Sequence, residues 1–378
     1  GFGASVTLSA DGNTAFVTDY YQGLQIFDIA ESFANGDALV ATSPSLTGSL
    51  DTSGWSFGVT ISADGNTAFV ADSLSGLHII NISNPASPSL TATYDTSGAA
   101  RGVTISADGN TAFVADDSSG LQIIDVSNLA SPSLTATYDT SGAAYGVTLS
   151  ADGNTAFVAD YNHGLDIIDV SNLSSPSLTG TYDTSGSAYS VTLSADGNTA
   201  FVADYSSGLQ IIDVSNLASP SLTATYDTSG AAYGVTLSAD GNTAFVADYN
   251  HGLDIIDVSN LSSPSLTGTY DTSGNAEYVV LSADGNTAFV ADRAHGLDII
   301  DVSNHASPTL IGNLDTSSNA YKLKLSADGK TAFVADGGSG LQIIDIGYPQ
   351  YFSSSSDTLS IRVDGTVPTF SSAATNTA

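Results

Sequence analysis

One position in this sequence, recurring at a fixed spacing, holds the side chains best suited to recognition. It reads Ala4, Phe57, Arg101, Tyr145, Tyr189, Tyr233, Glu277 and Tyr321. A second stretch also changes from copy to copy: "YYQG" at Tyr20, "SLSG" at Ser73, "DSSG" at Asp117, "YNHG" at Tyr161 and Tyr249, "YSSG" at Tyr205, "RAHG" at Arg293 and "GGSG" at Gly337. Aromatic planes stack on sugar rings or bury peptide side chains, and their polar tips orient a ligand. Phe57, Arg101, Tyr145, Tyr189, Tyr233, Glu277 and Tyr321, with Arg293 and His295 beside them, form the candidate ligand-binding set. Trp55, Tyr161, Tyr205, Tyr249, His163 and His251 lie nearby. The competing reading is that the tyrosines plug an apolar gap. Glu277 with Arg293 reads as a salt bridge in preference to a catalytic dyad. His163, His251 and His295 lack metal-ligand spacing along the chain and read as exposed loop residues. No catalytic signature is present: no G-x-S-x-G, H-E-x-x-H, phosphate-binding loop or dinucleotide fingerprint occurs.

These positions are set by a repeat. Its marker S-A-D-G places an aspartate at Asp11, Asp64, Asp108, Asp152, Asp196, Asp240, Asp284 and Asp328. From Asp64 the spacing is 44 residues, and the first interval is longer by nine, near "IAESFANGDALVATSPS". In the copy beginning at Tyr145, "YGVTLS", "TAFVAD", "LDIIDV" and "SLTGTYDT" read as four short strands. "ADGN" between the first two is a tight turn in which Gly153 takes positive φ without steric cost. No helical period appears. Four strands in a 44-residue unit predict a β-propeller blade. Eight markers predict an all-β, eight-bladed propeller of four antiparallel strands per blade, spanning 1–363. "TLSIRV" (358–363) would supply the outer strand of the last blade, with closure by a strand preceding Gly1 as the alternative. In a propeller the loop between strands two and three and the link into the next strand one share a face, so both variable stretches converge around the central opening.

"GLQIIDVSNLASP" and "GLDIIDVSNLSSP" resemble the LVIVD-repeat propellers, and "GVTLSADGNTAFVAD" is similar to the first half of YVTN-type repeats. The resemblance implies the propeller fold and leaves activity open, since such folds host many functions. The aspartate after the third strand in the LVIVD pattern is matched at Asp28, Asp125, Asp169, Asp213, Asp257, Asp301 and Asp345. Asn81 stands there in one copy, which argues for a turn role over a required charge. "VDGTVPTFSSAATNTA" resembles junctions that open Ig-like repeats of large bacterial surface adhesins, so 364–378 reads as a linker or the start of such a repeat.

The chain carries 39 acidic and 6 basic side chains, a net charge of −33. Too few cations are available to neutralise phosphates, which excludes nucleic-acid backbone binding, and the charge disfavours anionic membranes. No apolar run reaches the roughly 20 residues of a spanning helix. Cysteine is absent, which removes disulfides and thiolate chemistry. Most aspartates fall at four repeated positions, represented by Asp152, Asp160, Asp169 and Asp183. They read as acceptors for turn N–H groups, with calcium the candidate cofactor on composition alone. The expectation is a non-catalytic binding or adhesion module, extracellular at a bacterial cell surface and monomeric within a longer chain. Its partner is a glycan or a protein on another cell. The alternatives are a polysaccharide-degrading enzyme using Glu277 or axial aspartates, and a structural spacer.

Overall fold

The computed structural model describes residues 44–346 in full, together with the strands Ser5–Leu8, Thr14–Asp19, Gly23–Asp28, Asp37–Val40, Gln350–Ser355, Thr358–Ser360 and Thr369–Ser371. Contacts divide the chain into two units, Pro44–Ile346 and a second made of Gly1–Ser43 with Gly347–Ala378.

The first unit is a β-propeller of seven blades, each an antiparallel four-stranded sheet. Six blades are continuous in sequence. In the third, Gly146–Leu149, Thr155–Ala159, Leu165–Asp169 and Ser177–Tyr182 pair in chain order. The turn between its first two strands has Gly153 at φ 73°. The outer strand slips register between Ile167 and Ile168, a bulge that adds twist at the edge.

The seventh blade is assembled from both ends of the unit. Lys322–Leu325, Thr331–Ala335 and Leu341–Asp345 supply three strands, and Ser45–Leu50 supplies the outer one. This corrects the expected eight blades and the expected closing strand. Thr358–Ser360 pairs instead with Gln350–Ser355 and Thr369–Ser371. The first marker copy folds as a three-stranded sheet, Ser5–Leu8, Thr14–Asp19 and Gly23–Asp28, within the other unit. Its outer-strand sequence, "SLTGSL", is the segment taken by the last blade, which leaves seven complete sets. The remainder of 364–378, outside Thr369–Ser371, lies beyond the described residues.

Burial follows from radial packing. A blade has a neighbour on each face, so its two middle strands bury both sides. Thr199–Ala203 is buried throughout, as are the first four residues of Leu209–Asp213. Alternate side chains enter different cores. Phe157, Ala159, Leu165 and Ile167 pack on Ala188, Ala200, Val202, Ile212 and Val214 of the following blade. Val158 and Ile168 join the preceding blade's Phe113, Leu121 and Ile123. Phe333, Leu341 and Ile343 close the ring against Val59, Val70, Ile80 and Ile82.

Candidate ligand-binding site

A buried aspartate ends the second strand of each blade: Asp72, Asp116, Asp160, Asp204, Asp248, Asp292 and Asp336 are all fully buried. Each ties its blade to the link arriving from the blade before. Thr184 Oγ1 donates to Asp204 Oδ1 at 2.6 Å and the Gly186 amide to Oδ2 at 2.8 Å. The same amide contact recurs at Asp72, Asp116, Asp160, Asp248, Asp292 and Asp336. Burial raises the pKa of Asp204, against the opposing pull of those hydrogen bonds. The turn aspartates behave in the opposite way. Asp152, at the surface, accepts from Ser150 Oγ, the Asn154 amide and Asn154 Nδ2, which lower its pKa. Asp169 accepts from the Ser171 amide, and Asn81 takes the same bond from Ser83. These aspartates are thus acceptors in turns, as their positions suggested. Among the described residues no group of three or more His, Asp or Glu side chains is placed to hold a metal.

The residue after each buried aspartate sits at the mouth of the ring. Ser73, Asp117, Tyr161, Tyr205, Tyr249 and Arg293 have φ between 33° and 50°, and Gly337 has φ 47°. This left-handed backbone costs a side-chain-bearing residue roughly 1–2 kcal/mol. A two-way bridge to the next blade imposes it, as between Tyr205 and Ala232. In five blades the side chain then meets the residue leading into its own blade's first strand, sixteen positions earlier. Tyr161 stacks on Tyr145 with centroids 4.9 Å apart, Tyr249 on Tyr233 at 4.9 Å, and Tyr205 on Tyr189 at 5.7 Å. Asp117 takes Arg101 at 3.0 Å, and Arg293 lies 2.8 Å from Glu277.

Neighbouring blades complete the layer. Tyr145 meets Tyr189 at 5.0 Å, Tyr189 meets Tyr233 at 4.3 Å, and Phe57 meets Tyr321 at 4.7 Å. The Arg101 guanidinium lies 4.6 Å over Phe57 and 4.7 Å over Tyr145. Arg293 donates to the Tyr249 hydroxyl at 2.6 Å. Phe57, Arg101, Tyr145, Tyr189, Tyr233, Glu277, Arg293 and Tyr321 thereby line one cavity of about 160 Å³ together with Lys322. His295 does not line it. That side chain is exposed, and its amide donates to the Asp292 carbonyl. His163 and His251 are exposed as well.

The charged side of the cavity is unlike the tyrosine side. Burial pushes Glu277 up to about 7, against the pull of Arg293 and Lys322. Burial brings Lys322 down to about 8, against the pull of Glu277. Lys322 also lines a second axial cavity, of about 210 Å³, with Lys324, Tyr278 and the threonines Thr60, Thr104, Thr148, Thr192 and Thr236. The room for Lys322 and Tyr278 comes from small residues at the matching positions of five blades: Gly58, Gly102, Gly146, Ser190 and Gly234. A Cβ on Gly102 would stand 3.2 Å from Lys322 Nζ, and one on Gly234 would stand 3.0 Å from the Tyr278 ring. Lys322, Lys324 and Tyr278 were not singled out from the sequence. The signal was available, because "YKLK" replaces "YGVT" in the last blade.

The fold and axis define a seven-bladed propeller whose repeats are near-copies and whose mouth is not. The chain belongs to the LVIVD repeat family, whose repeat matches residues 59–96, 97–140, 141–184, 185–228, 229–272, 273–316 and 322–364. No curated protein matches the sequence. Three solved structures share the fold. Hydrazine synthase of Kuenenia stuttgartiensis is 17% identical with a TM-score of 0.63, over 78% of this chain and 97% of that one. The Cps50 (Swd1) β-propeller domain of Myceliophteria thermophila is 14% identical with a TM-score of 0.67, over 80% and 99%. The periplasmic gluconolactonase PpgL of Pseudomonas aeruginosa is 16% identical with a TM-score of 0.64, over 85% and 98%. At such identity the likeness is one of fold alone, and a fold of this kind hosts many chemistries.

Proposed function

We propose that the axial mouth is a non-catalytic site for a glycan or protein ligand, in an adhesion module displayed at a bacterial cell surface. The observation that carries this reading is the convergence of Phe57, Arg101, Tyr145, Tyr189, Tyr233, Glu277, Arg293 and Tyr321 on one cavity. These are the positions at which otherwise near-identical blades differ. Flat aromatic faces with hydroxyl tips suit a sugar ring or a peptide side chain. A net charge of −33 suits a protein working in salty surroundings, where screening relieves self-repulsion. The test is a glycan panel titrated against the protein and against Tyr189→Ala and Tyr233→Ala, with a thermal melt of each. Loss of binding in folded variants supports the reading. Full binding by both variants sinks it.

A second reading, a polysaccharide-degrading enzyme, draws on Glu277 alone. Its carboxyl is pushed up to about 7 inside a cavity, which suits a general acid near neutral pH. Among the described residues no second carboxylate lines that cavity, so a two-carboxylate glycosidase mechanism lacks its partner there. Cleavage of a bound glycan that is abolished in Glu277→Gln would favour the enzyme.

A further inference from the structure

The cations of this chain are few and concentrated. Of six basic side chains set against 39 acidic ones, four line the axial cavities: Arg101, Arg293, Lys322 and Lys324. Glu277 lines the mouth cavity and Asp117 pairs with Arg101 beside it, so Lys322 and Lys324 leave the axis a positive spot in a strongly negative molecule.

Lys322 and Lys324 are held less closely than the two arginines. Arg101 is held by Asp117 and Arg293 by Glu277 and the Tyr249 hydroxyl. Lys322 makes no hydrogen bond or close ion pair with a described residue, and Glu277 attracts it from farther away. Its nearest ring is Tyr278, at 5.8 Å from Nζ to the centroid. An ammonium has three donors, and the half-buried Lys322 keeps its Nζ open to the cavity. Five blades carry glycine or serine at this position instead. Lys322 therefore offers its donors to a cavity walled by tyrosines.

We propose that the mouth receives an acidic sugar, with its ring against Tyr189 and Tyr233 and its carboxylate at Lys322. This rests on the reading of the mouth as a glycan site and adds the charge of the ligand. A cavity of about 160 Å³ fits a single sugar unit better than a folded protein segment. The flat aromatic walls favour a ring-bearing acid over a bare anion. Electrostatic focusing would draw that acid to the axis and away from the negative outer surface.

The test is calorimetric titration with hexuronic acid disaccharides, their neutral hexose counterparts and inorganic phosphate. The proteins are the native chain, Lys322→Gly, Lys322→Gln and Lys330→Asn, each checked by a thermal melt. Lys330 stands where other turns carry asparagine, so its replacement removes the same charge away from the axis. The native protein should prefer an acidic disaccharide about tenfold over its neutral counterpart, the scale of one charged hydrogen bond. Both Lys322 variants should lose that preference, and Lys330→Asn should retain both the preference and the neutral binding. Equal binding of acidic and neutral sugars overturns the charge assignment and leaves the glycan site standing. A preference that survives both Lys322 variants places the anion elsewhere and overturns the proposal. Phosphate binding that depends on Lys322, without uronate binding, also overturns it. Failure of every sugar to bind overturns the glycan site itself.

Discussion

Asp204 and Tyr205 are adjacent in sequence and belong to two different regimes of the molecule. Asp204 is fully buried and accepts from Thr184 and Gly186, and six other blades repeat its amide contact. Tyr205 is 38% exposed, sits at φ 45° and stacks on Tyr189. Its counterparts are serine, aspartate, two tyrosines, arginine and glycine. The first position builds a joint, which works best when every blade makes the same one. The second faces the axis, where seven identical side chains would meet around a symmetric hole. A single ligand is asymmetric, and reading it requires copies that differ. The pairing sixteen residues apart shows how the variation is kept tolerable: Arg101 changes with Asp117, Glu277 with Arg293, and tyrosine with tyrosine.

Breaking the joint should cost the most. Asp204→Ala leaves the Thr184 hydroxyl and the Gly186 amide without their acceptor. Each such loss is worth roughly 1–3 kcal/mol, so chemical denaturation should show a drop of about 3 kcal/mol. Ligand affinity of the folded fraction should hold. Equal losses of affinity and stability would erase the distinction between the two regimes.

Tyr189→Ala should invert that result. The ring meets Tyr145, Tyr205 and Tyr233, and truncating a central aromatic anchor costs about 2 kcal/mol or more of binding. Calorimetry against the bound glycan measures it, with a melt to confirm the fold. A variant that binds as tightly as the native chain would make the tyrosines a plug.

A subtler comparison lies beside the joint. Gln122, Gln210 and Gln342 occupy the second position of the third strand in three blades, and the Gln210 amide donates to the Ser207 carbonyl at 2.8 Å. Three other blades carry Asp166, Asp254 and Asp298 there, all buried. Burial and the neighbouring Asp248 push Asp254 up to about 6, and burial with Asp292 pushes Asp298 up to about 7. A carboxylate raised on folding binds its proton more tightly in the native state. Its stabilising contribution is present below the unfolded value near 4 and is lost as pH rises through about 7 for Asp298. Asp298→Gln should therefore flatten stability between about pH 4 and 7 and raise it at pH 8 by about 1 kcal/mol or more. Denaturation series at both pH values decide it, and an unchanged slope would remove Asp298 as the source.

The smallest effect is expected at Asn172, on the face opposite the mouth. Its side chain accepts one long contact, 3.3 Å from the Ser174 amide. Asn172→Ala should leave binding unchanged and shift stability by a few tenths of a kcal/mol, within the usual surface range of about 0.5 kcal/mol. A loss of affinity in that titration would move the site to the other face.

The strands were legible because the repeat states its pattern many times. Thr155–Ala159 and Leu165–Asp169 fall where "TAFVAD" and "LDIIDV" place them, and Gly153 takes its turn conformation. The blade count was not legible from the markers, because S-A-D-G reports the inner turn and says nothing about the outer strand. "SLTGSL" and "SLTATY" are near-equivalent partners for any third strand. Ser45–Leu50 finds Leu341–Asp345 through closure of the ring, a long-range choice that leaves no local trace. The insertion of nine residues after the first copy was the available hint. At the mouth, the strand-leading residues were identifiable by their departure from the repeat. Lys322 and Lys324 depart equally but sit one and three residues further in, where the pattern reads as strand interior.

The closing strand also sets how the ring answers to tension. Ser45 pairs with Asp345 and Leu50 with Leu341, so the chain enters and leaves this antiparallel pair at the same end. Further along the chain on each side, Val40 pairs with Gln350 and Asp37 with Ser353 in the other unit, again antiparallel. A pull on the two flanking segments therefore peels hydrogen bonds one rung at a time and does not shear a whole ladder at once. A domain clasped in this way yields in small steps at low force, and its slack is drawn from its last blade before the other six are touched.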